Sequence, residues 1–361
     1  MTARRIAATS GGMLILASIT VGCVPPHVPP APAPYIDAVY SATVTPKAQP
    51  VTWGAAPPID ASYGGTLYRG TSIETQDPRP ALDPAGNEPL RLWVATPADT
   101  ATHRPAIVWL HGGGFAVGID SMYGLANGTG KAYAQRGYVG FSVEYRTDTT
   151  LVGTGGSSRP PSLCQWVQDN EDPSDPVWQQ RYAQCSRNIL AAQYDAQAAV
   201  RWIKVHAAAY GVDPAKIAVG GFSAGAVTAA NLAYRSDDVG AVRYFPNDDL
   251  SIAGSKVQAG FGASGCEYLP ESIGPGDLPV SFIHSKGDRA VPYSCVAQTV
   301  TAARAAGLVA ELTSYCDSSL HAENLYAPNQ AATDAQWTSF LARELKIYSG
   351  LRPPSQDPVC P

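Results

Sequence analysis

The sequence predicts an α/β protein, a mostly parallel central sheet with helices on both faces. Three observations lead there. Short, continuous apolar runs recur along the chain with helical patterns between them, as expected of strands buried on both sides. One long segment, residues 187–208, sets Ile189, Ala192, Ala196, Ala199, Val200 and Ile203 at helical spacing, so that face should lie on the sheet. The composition, 45% hydrophobic and 15% charged over 361 residues, is that of a globular chain able to bury a large core.

The elements follow in order. "LRLWVATP" (90–97), "PAIVWLHGGG" (105–114) and "GYVGFSVEYR" (137–146) are the first strand candidates. After the 187–208 helix come "KIAVGGF" (216–222), a helix beginning near Ala224, then "KVQAGFGAS" (256–264), "PVSFIHS" (279–285) and "VAELTSY" (309–315). A helix around 331–347, "AATDAQWTSFLARELKI", closes the unit. One segment breaks the rhythm. Residues 147–186 are long, rich in Gly, Pro and Asp, and hold two tryptophans and two cysteines. A connection of that length is either a functional lid or insertion, or a surface excursion pinned by its cysteines.

The N-terminus reads as an export signal over residues 1–22: Arg4 and Arg5, an apolar run centred on Met13 to Ala17, then small residues. Its end, Ile19-Thr20-Val21-Gly22-Cys23, resembles the bacterial lipoprotein signal, which implies lipidation of Cys23 and a cell-surface or membrane-anchored protein; ordinary secretion is the alternative. Residues 23–44 include "VPPHVPPAPAP", a proline-rich spacer that stays extended. No internal repeat or second linker divides 45–350, which is therefore one domain, with 351–361 as a tail. Setting Cys23 aside leaves Cys164, Cys185, Cys266, Cys295, Cys316 and Cys360, an even set suited to three disulfides in an oxidising compartment. Cys164 with Cys185 is the most local pairing. No CxxC pair or histidine cluster favours a metal instead. A net charge of −5 with no basic block beyond the first residues gives no footprint for nucleic acid.

Two motifs carry chemistry. Gly221-Phe222-Ser223-Ala224-Gly225 matches GxSxG between a strand and a helix, the setting in which a serine sits exposed on a strained turn. His111-Gly112-Gly113-Gly114-Phe115 follows the strand "AIVWL", where an HGGG motif supplies backbone amides to an oxyanion. Each such donor is worth roughly 3 to 4 kcal/mol to a transition state.

From about residue 90 to 347 the chain resembles the α/β-hydrolase superfamily, in particular esterases related to hormone-sensitive lipase and the secreted feruloyl- and acetyl-esterase-like enzymes. The resemblance rests on "HGGGF", "RGYVGFSVEYR", "DAQAAVRWIKVHAAAYGVDPAKIAVGGFSAG" and "HSKGDRAVPY". Phe222 departs from the hormone-sensitive lipase pattern, where Asp or Thr is commoner. The resemblance implies oxyanion amides at Gly113, Gly114 and Ala224, and a triad in the order serine, acid, histidine.

A serine needs a histidine as base and a carboxylate to orient it. His27 lies in the spacer, His103 and His111 precede the serine, His206 continues the apolar helical face as a core residue, and His284 sits in a strand ahead of the acid candidates. That leaves His321, just past the strand 309–315. Asp288, after the strand 279–285, is the acid, preferred over Glu267, Asp317 and Glu323. The expectation is a serine carboxylic-ester hydrolase acting through an acyl-enzyme, with no cofactor, on a small or polymer-linked ester. Trp166, Trp178 and Tyr182 are candidate walls of the substrate site. The alternatives are a lipase or peptidase of this fold, or a surface binding protein that keeps the fold without the reaction.

Overall fold

A computed structural model of the chain describes residues 49–55, 89–97, 102–116, 125–147, 162–236 and 254–347. Among these residues eight strands, β1 (Gln49–Ala55), β2 (Pro89–Ala95), β3 (Arg104–Leu110), β4 (Val139–Val143), β5 (Val212–Phe222), β6 (Ala259–Ala263), β7 (Val280–Ser285) and β8 (Ala310–Tyr315), form one sheet. Their order is β1-β2-β4-β3-β5-β6-β7-β8, with β1/β2 and β2/β4 antiparallel and every pair from β4 to β8 parallel.

The apolar runs become strands because both faces of the sheet are covered. All residues of β3, β4, β6 and β7 are buried. Alternation divides them between two cores. Ala106, Val108 and Leu110 of β3 join one, which receives Ala192, Ala196, Ala199, Val200 and Ile203 from helix α3 (Pro176–Val205). Ile107 and Trp109 point to the other, where Trp337, Phe340 and Leu341 of helix α7 (Gln330–Glu344) pack. The helical face expected in 187–208 and the closing helix are both present. At the end of β4, the guanidinium of Arg146 forks onto the buried carboxylate of Asp195 in α3, Nη2 to Oδ1 at 2.7 Å and Nε to Oδ2 at 2.9 Å. A bidentate charged pair of this kind fixes the orientation of the helix on the sheet.

Three features differ from the sequence expectation. β1 was not read as a strand. In the segment 147–186, α2 (Leu163–Asp169) is followed by the first turns of α3, which begins at Pro176 and not near residue 187. Asp175 caps α3 by accepting from the Val177 amide at 2.9 Å, with Pro176 in the first turn where its missing N–H costs nothing. His206 is not a core residue; it is the half-buried C-cap of α3, its ring stacked on Trp202 at 4.0 Å.

Among the described residues two disulfides are formed. Cys164–Cys185 ties α2 to α3, and Cys266–Cys295 ties the segment after β6 to helix α5 (Tyr293–Ala305). Cys316 is half-buried after β8, while Cys23, Cys360, the export signal and the proline-rich spacer lie outside the described residues.

Helix α4 (Ala224–Tyr234) is buried along its whole length and lies hard against the sheet. A Cβ on Gly225 would run into the carbonyl oxygen of Leu110 and come within 2.7 Å of that of His111; one on Gly221 would lie 2.5 Å from the Gly225 carbonyl carbon. Backbone cannot yield as a flexible side chain can, so the clash must be relieved by moving the helix. Gly225→Ala is expected to lower stability by about 3 kcal/mol or more in denaturant titration, while Gly128→Ala, whose Cβ enters open space, stays near the parent. Equal midpoints for the two variants would contradict this packing.

Candidate active site

Ser223 stands between β5 and α4 with φ 52° and ψ −122°, a conformation that a residue with a side chain adopts only under constraint. The constraint is visible: its amide donates to Ala263 O at the end of β6, and its carbonyl accepts from Val227 N in α4, both at 3.0 Å. The turn exposes the hydroxyl at the C-terminal edge of the parallel strands.

His321 lies beyond β8, just ahead of the short helix α6 (Glu323–Tyr326). Its Nε2 is 2.7 Å from Ser223 Oγ, and its Nδ1 is 2.8 Å from Asp288 Oδ2. With Nδ1–H donating to the carboxylate, Nε2 is left to accept the serine proton. The Asp288 side chain is 0% exposed, against 27% for His321, so the pair runs from a dry interior to a wet mouth. Asp288 Oδ1 accepts the amides of Ala290 and Val291 at 2.9 and 3.1 Å. Burial pushes this carboxyl up, but hydrogen bonds from His321, Ser264 and the Val291 amide outweigh it and hold the group below the usual carboxylate range.

His284 is a contributor that sequence reasoning set aside. Fully buried in β7, it donates from Nε2 to Val291 O at 2.9 Å and lies 3.6 Å from Asp288 Oδ2, so it braces the loop that holds the acid. Burial lowers its pKa, which keeps it neutral there. Ser264, at φ 57°, accepts from Ala322 N at 2.9 Å and so fixes the backbone beside His321. Of the other carboxylates, Glu267 is buried near Arg235 Nη2 at 3.5 Å and accepts from Leu269 N. Neither bond reaches His321.

The glycine loop after β3 bends back over the serine. Gly113, Gly114 and Phe115 have φ of 118°, 61° and 59°. Gly112 approaches so closely that a Cβ there would lie 3.2 Å from Phe222 O and 3.4 Å from Ser223 Cβ; one on Gly114 would lie 2.6 Å from Ser162 Oγ. His111 anchors the loop. Its ring stacks on Tyr145 at 4.0 Å, its Nδ1–H donates to Gly112 O at 2.7 Å, and its own carbonyl accepts from the Tyr145 hydroxyl at 2.6 Å.

Gly113, Gly114, Ser223, Ala224 and His321 all line one cavity of about 950 Å³, within the range of small-molecule sites. Its further wall comes from α2 and α3, including Ser162, Val167, Trp178, Tyr182 and Ile189. Trp178 and Tyr182 are where the sequence suggested; Trp166 is not, because it is covered by the guanidinium of Arg181 at 4.0 Å and does not line the cavity. Gln165 Nε2 reaches Arg289 O at 3.2 Å, which joins this wall to the Asp288 loop. Ser162, Arg235, Tyr268, Leu269 and Glu323 also line the cavity and were not proposed as walls. Ser162-Leu163-Cys164-Gln165 has capping-box spacing, a signal for α2 that was legible. Among the described residues no group of three or more His, Cys, Asp or Glu side chains could hold a metal ion.

The fold has known counterparts. The structure is similar to that of Thermogutta terrifontis esterase 2 phosphorylated by paraoxon, at 21% identity and a TM-score of 0.54, covering 80% of this chain and 96% of that one. Its propionate-bound form gives 20% identity and a TM-score of 0.53, covering 80% and 97%. The chain has the α/β-hydrolase fold. Residues 179–259 match the family model described as BD-FAE. Over 216 residues the chain is 29% identical to phenmedipham hydrolase of Pseudarthrobacter oxydans, covering 55% of this chain and 36% of that protein. It is 28% identical over 148 residues to gut esterase 1 of Caenorhabditis elegans, covering 41% and 21%. The chain thus matches about a third or less of the length of these curated relatives.

The buried loop anchor has a pH signature. Desolvation lowers the pKa of His111 from 6.5 to about 4, so between those values the unfolded chain binds a proton that the folded one excludes. Its contribution to stability is complete above pH 6.5 and is lost as the pH falls towards 4, by about 3 kcal/mol in all. His111→Phe keeps a ring against Tyr145 and removes the titration. Its stability is expected to fall less steeply than the parent's between pH 6.5 and 4; parallel curves would contradict this assignment.

Proposed function

We propose that this protein is a serine carboxylic-ester hydrolase. The observation that carries the reading is the line from Asp288 Oδ2 through His321 to Ser223 Oγ, two hydrogen bonds of 2.8 and 2.7 Å ending at a serine held in a strained turn. The similarity to esterases and a hydrolase supports it.

In this reading Ser223 Oγ attacks the ester carbonyl as His321 Nε2 takes its proton, and Asp288 stabilises the imidazolium. The carbonyl oxygen becomes negative and is met by the amides of Gly113, Gly114 and Ala224. His321 then gives its proton to the leaving alcohol, and the acyl group stays on Ser223. Water, deprotonated by His321, attacks the acyl carbonyl; the acid leaves and the serine hydroxyl is restored. The substrate part that fills the cavity is largely apolar, since Val167, Trp178, Ile189 and Leu190 are among its walls. In the same reading the N-terminal signal exports the chain and a lipid on Cys23 anchors it, with the proline-rich spacer between anchor and catalytic domain.

Ser223→Ala is expected to keep the parent's melting temperature and to lose about 10⁴- to 10⁶-fold in kcat/KM on p-nitrophenyl butyrate; retained turnover would overturn the proposal. Asp288→Asn should cost up to about 10⁴-fold in kcat. If Glu267→Gln or Asp317→Asn produces that loss while Asp288→Asn does not, the acid is misassigned. Mass spectrometry of the mature N-terminus should find a lipid-modified Cys23, and an unmodified start elsewhere removes the anchor.

A further inference from the structure

The cavity that holds Ser223 follows α4 inward from the serine, past Val227 one turn into the helix, to Arg235 at its C-cap. Over that length the helix rises about 18 Å. From α3, Ile189, Leu190 and Gln193 line the same cavity. Aliphatic side chains thus lie between the serine and an inner end where Gln193 and Arg235 bring polar groups.

Those polar groups are only partly taken up by the protein. Gln193 is 0% exposed; its Nε2 donates to Arg235 O at 3.4 Å, and its Oε1 has no partner among the described residues. A carbonyl can only accept, so the amide cannot be turned round to satisfy its oxygen. Arg235 Nη2 lies 3.5 Å from the fully buried carboxylate of Glu267, which matches its charge. Its Nε is also buried and has no acceptor. Unpaired buried donors and acceptors are costly and correspondingly rare. Here one of each belongs to residues that line the same end of a cavity.

A hydroxyl meets both needs, donating its hydrogen to Gln193 Oε1 and accepting from Arg235 Nε. A methyl end would leave both unmet. A carboxylate has no hydrogen to give Gln193 and would set a second negative charge beside Glu267. The part of the ester that reaches inward is the acyl group, because the alcohol leaves first, protonated by a His321 that is 27% exposed at the wet mouth. We propose that the inner end of the cavity is a subsite for a hydroxyl carried at the far end of an aliphatic acyl chain, which makes ω-hydroxyacyl esters the preferred substrates. This deepens the esterase reading and rests on it for the fate of the ester, but recognition of the hydroxyl itself needs no catalysis.

The experiment separates the two. The p-nitrophenyl esters of ω-hydroxyoctanoate and nonanoate and the half-ester of nonanedioate have matched chains that end in a hydroxyl, a methyl and a carboxylate. With all three dissolved, the parent should favour the hydroxy ester over the nonanoate by about tenfold in kcat/KM, with the half-ester below the hydroxy ester. Gln193→Leu keeps much of the volume and removes the acceptor, so the ratio of hydroxy ester to nonanoate should fall to about one or below. A ratio taken within one protein does not depend on how much of it is folded. Arg235→Lys keeps a cation beside Glu267 but loses the Nε donor, and should lower the ratio part-way. Hydrolysis of p-nitrophenyl acetate, too short to reach the inner end, by the parent and by Ser223→Ala reports on the serine alone. In Ser223→Ala the dissociation constants of the hydroxy ester and the nonanoate should differ in the same direction, an arm that needs no turnover. The proposal is overturned if the parent handles the nonanoate as well as the hydroxy ester, if the half-ester exceeds both, or if Gln193→Leu keeps the parent's ratio.

Discussion

At Ser223 a residue with a side chain is held at a positive φ, and it stays there because α4 has nowhere else to go. The helix starts one residue later, on top of the carbonyls of Leu110 and His111, in a space that admits glycine at 225 and nothing larger. Ala226 fits equally closely against Gly262 and Gly265, so the same contact that anchors the helix to β5 extends over β6. A helix docked so tightly brings its first amides, with the positive end of its dipole, beside the serine. The strain is a property of the sheet–helix interface, and the nucleophile candidate is simply the residue at which that interface turns.

Around this turn the polar groups are arranged by burial. Asp288 is dry and collects donors from three directions, two loop amides and an imidazole, so it remains a carboxylate where an unsupported one would take up a proton. His284 braces the loop from beneath, and Gln165 reaches the same loop from the α2 wall. The glycine loop is secured in the same manner, by a buried, neutral His111 stacked on Tyr145; burial pushes the Tyr145 phenol up, so it stays a donor to the His111 carbonyl. Rigid supports of this kind matter because an oxyanion donor acts only if it is already aimed when charge develops.

Much of this could be read from the residues. The strands with unbroken apolar runs, such as "AIVWL" and "KIAVGGF", were legible because burial on both faces leaves no polar interruption. The residues nominated for the site, Ser223, Asp288 and His321, lie within hydrogen-bond reach of one another because each follows a different parallel strand at the same edge of the sheet. Other parts were hidden for physical reasons. The start of α3 was masked by "DPSDP", whose prolines and aspartates look like a loop but include a helix cap and first turn. β1 pairs through backbone at the edge of the sheet, in a stretch, "QPVTWGA", whose proline and glycine argue against a strand. Trp166 and Trp178 look equivalent in sequence, and only the packing of Arg181 over one of them decides which faces the cavity. His206 falls on the apolar stripe by spacing, but the helix ends there and leaves its ring half-buried against Trp202.

The central claim is that Ser223 is activated by its neighbours, and covalent labelling tests it most directly. A fluorophosphonate reacts with an activated serine and not with an ordinary one. Incubating the protein with it and sequencing the modified peptide by mass spectrometry should show one adduct, on Ser223, formed with loss of ester hydrolysis and greatly slowed in His321→Ala. An unlabelled Ser223 in protein that still hydrolyses esters, or an adduct on another serine that abolishes the activity, would contradict the account.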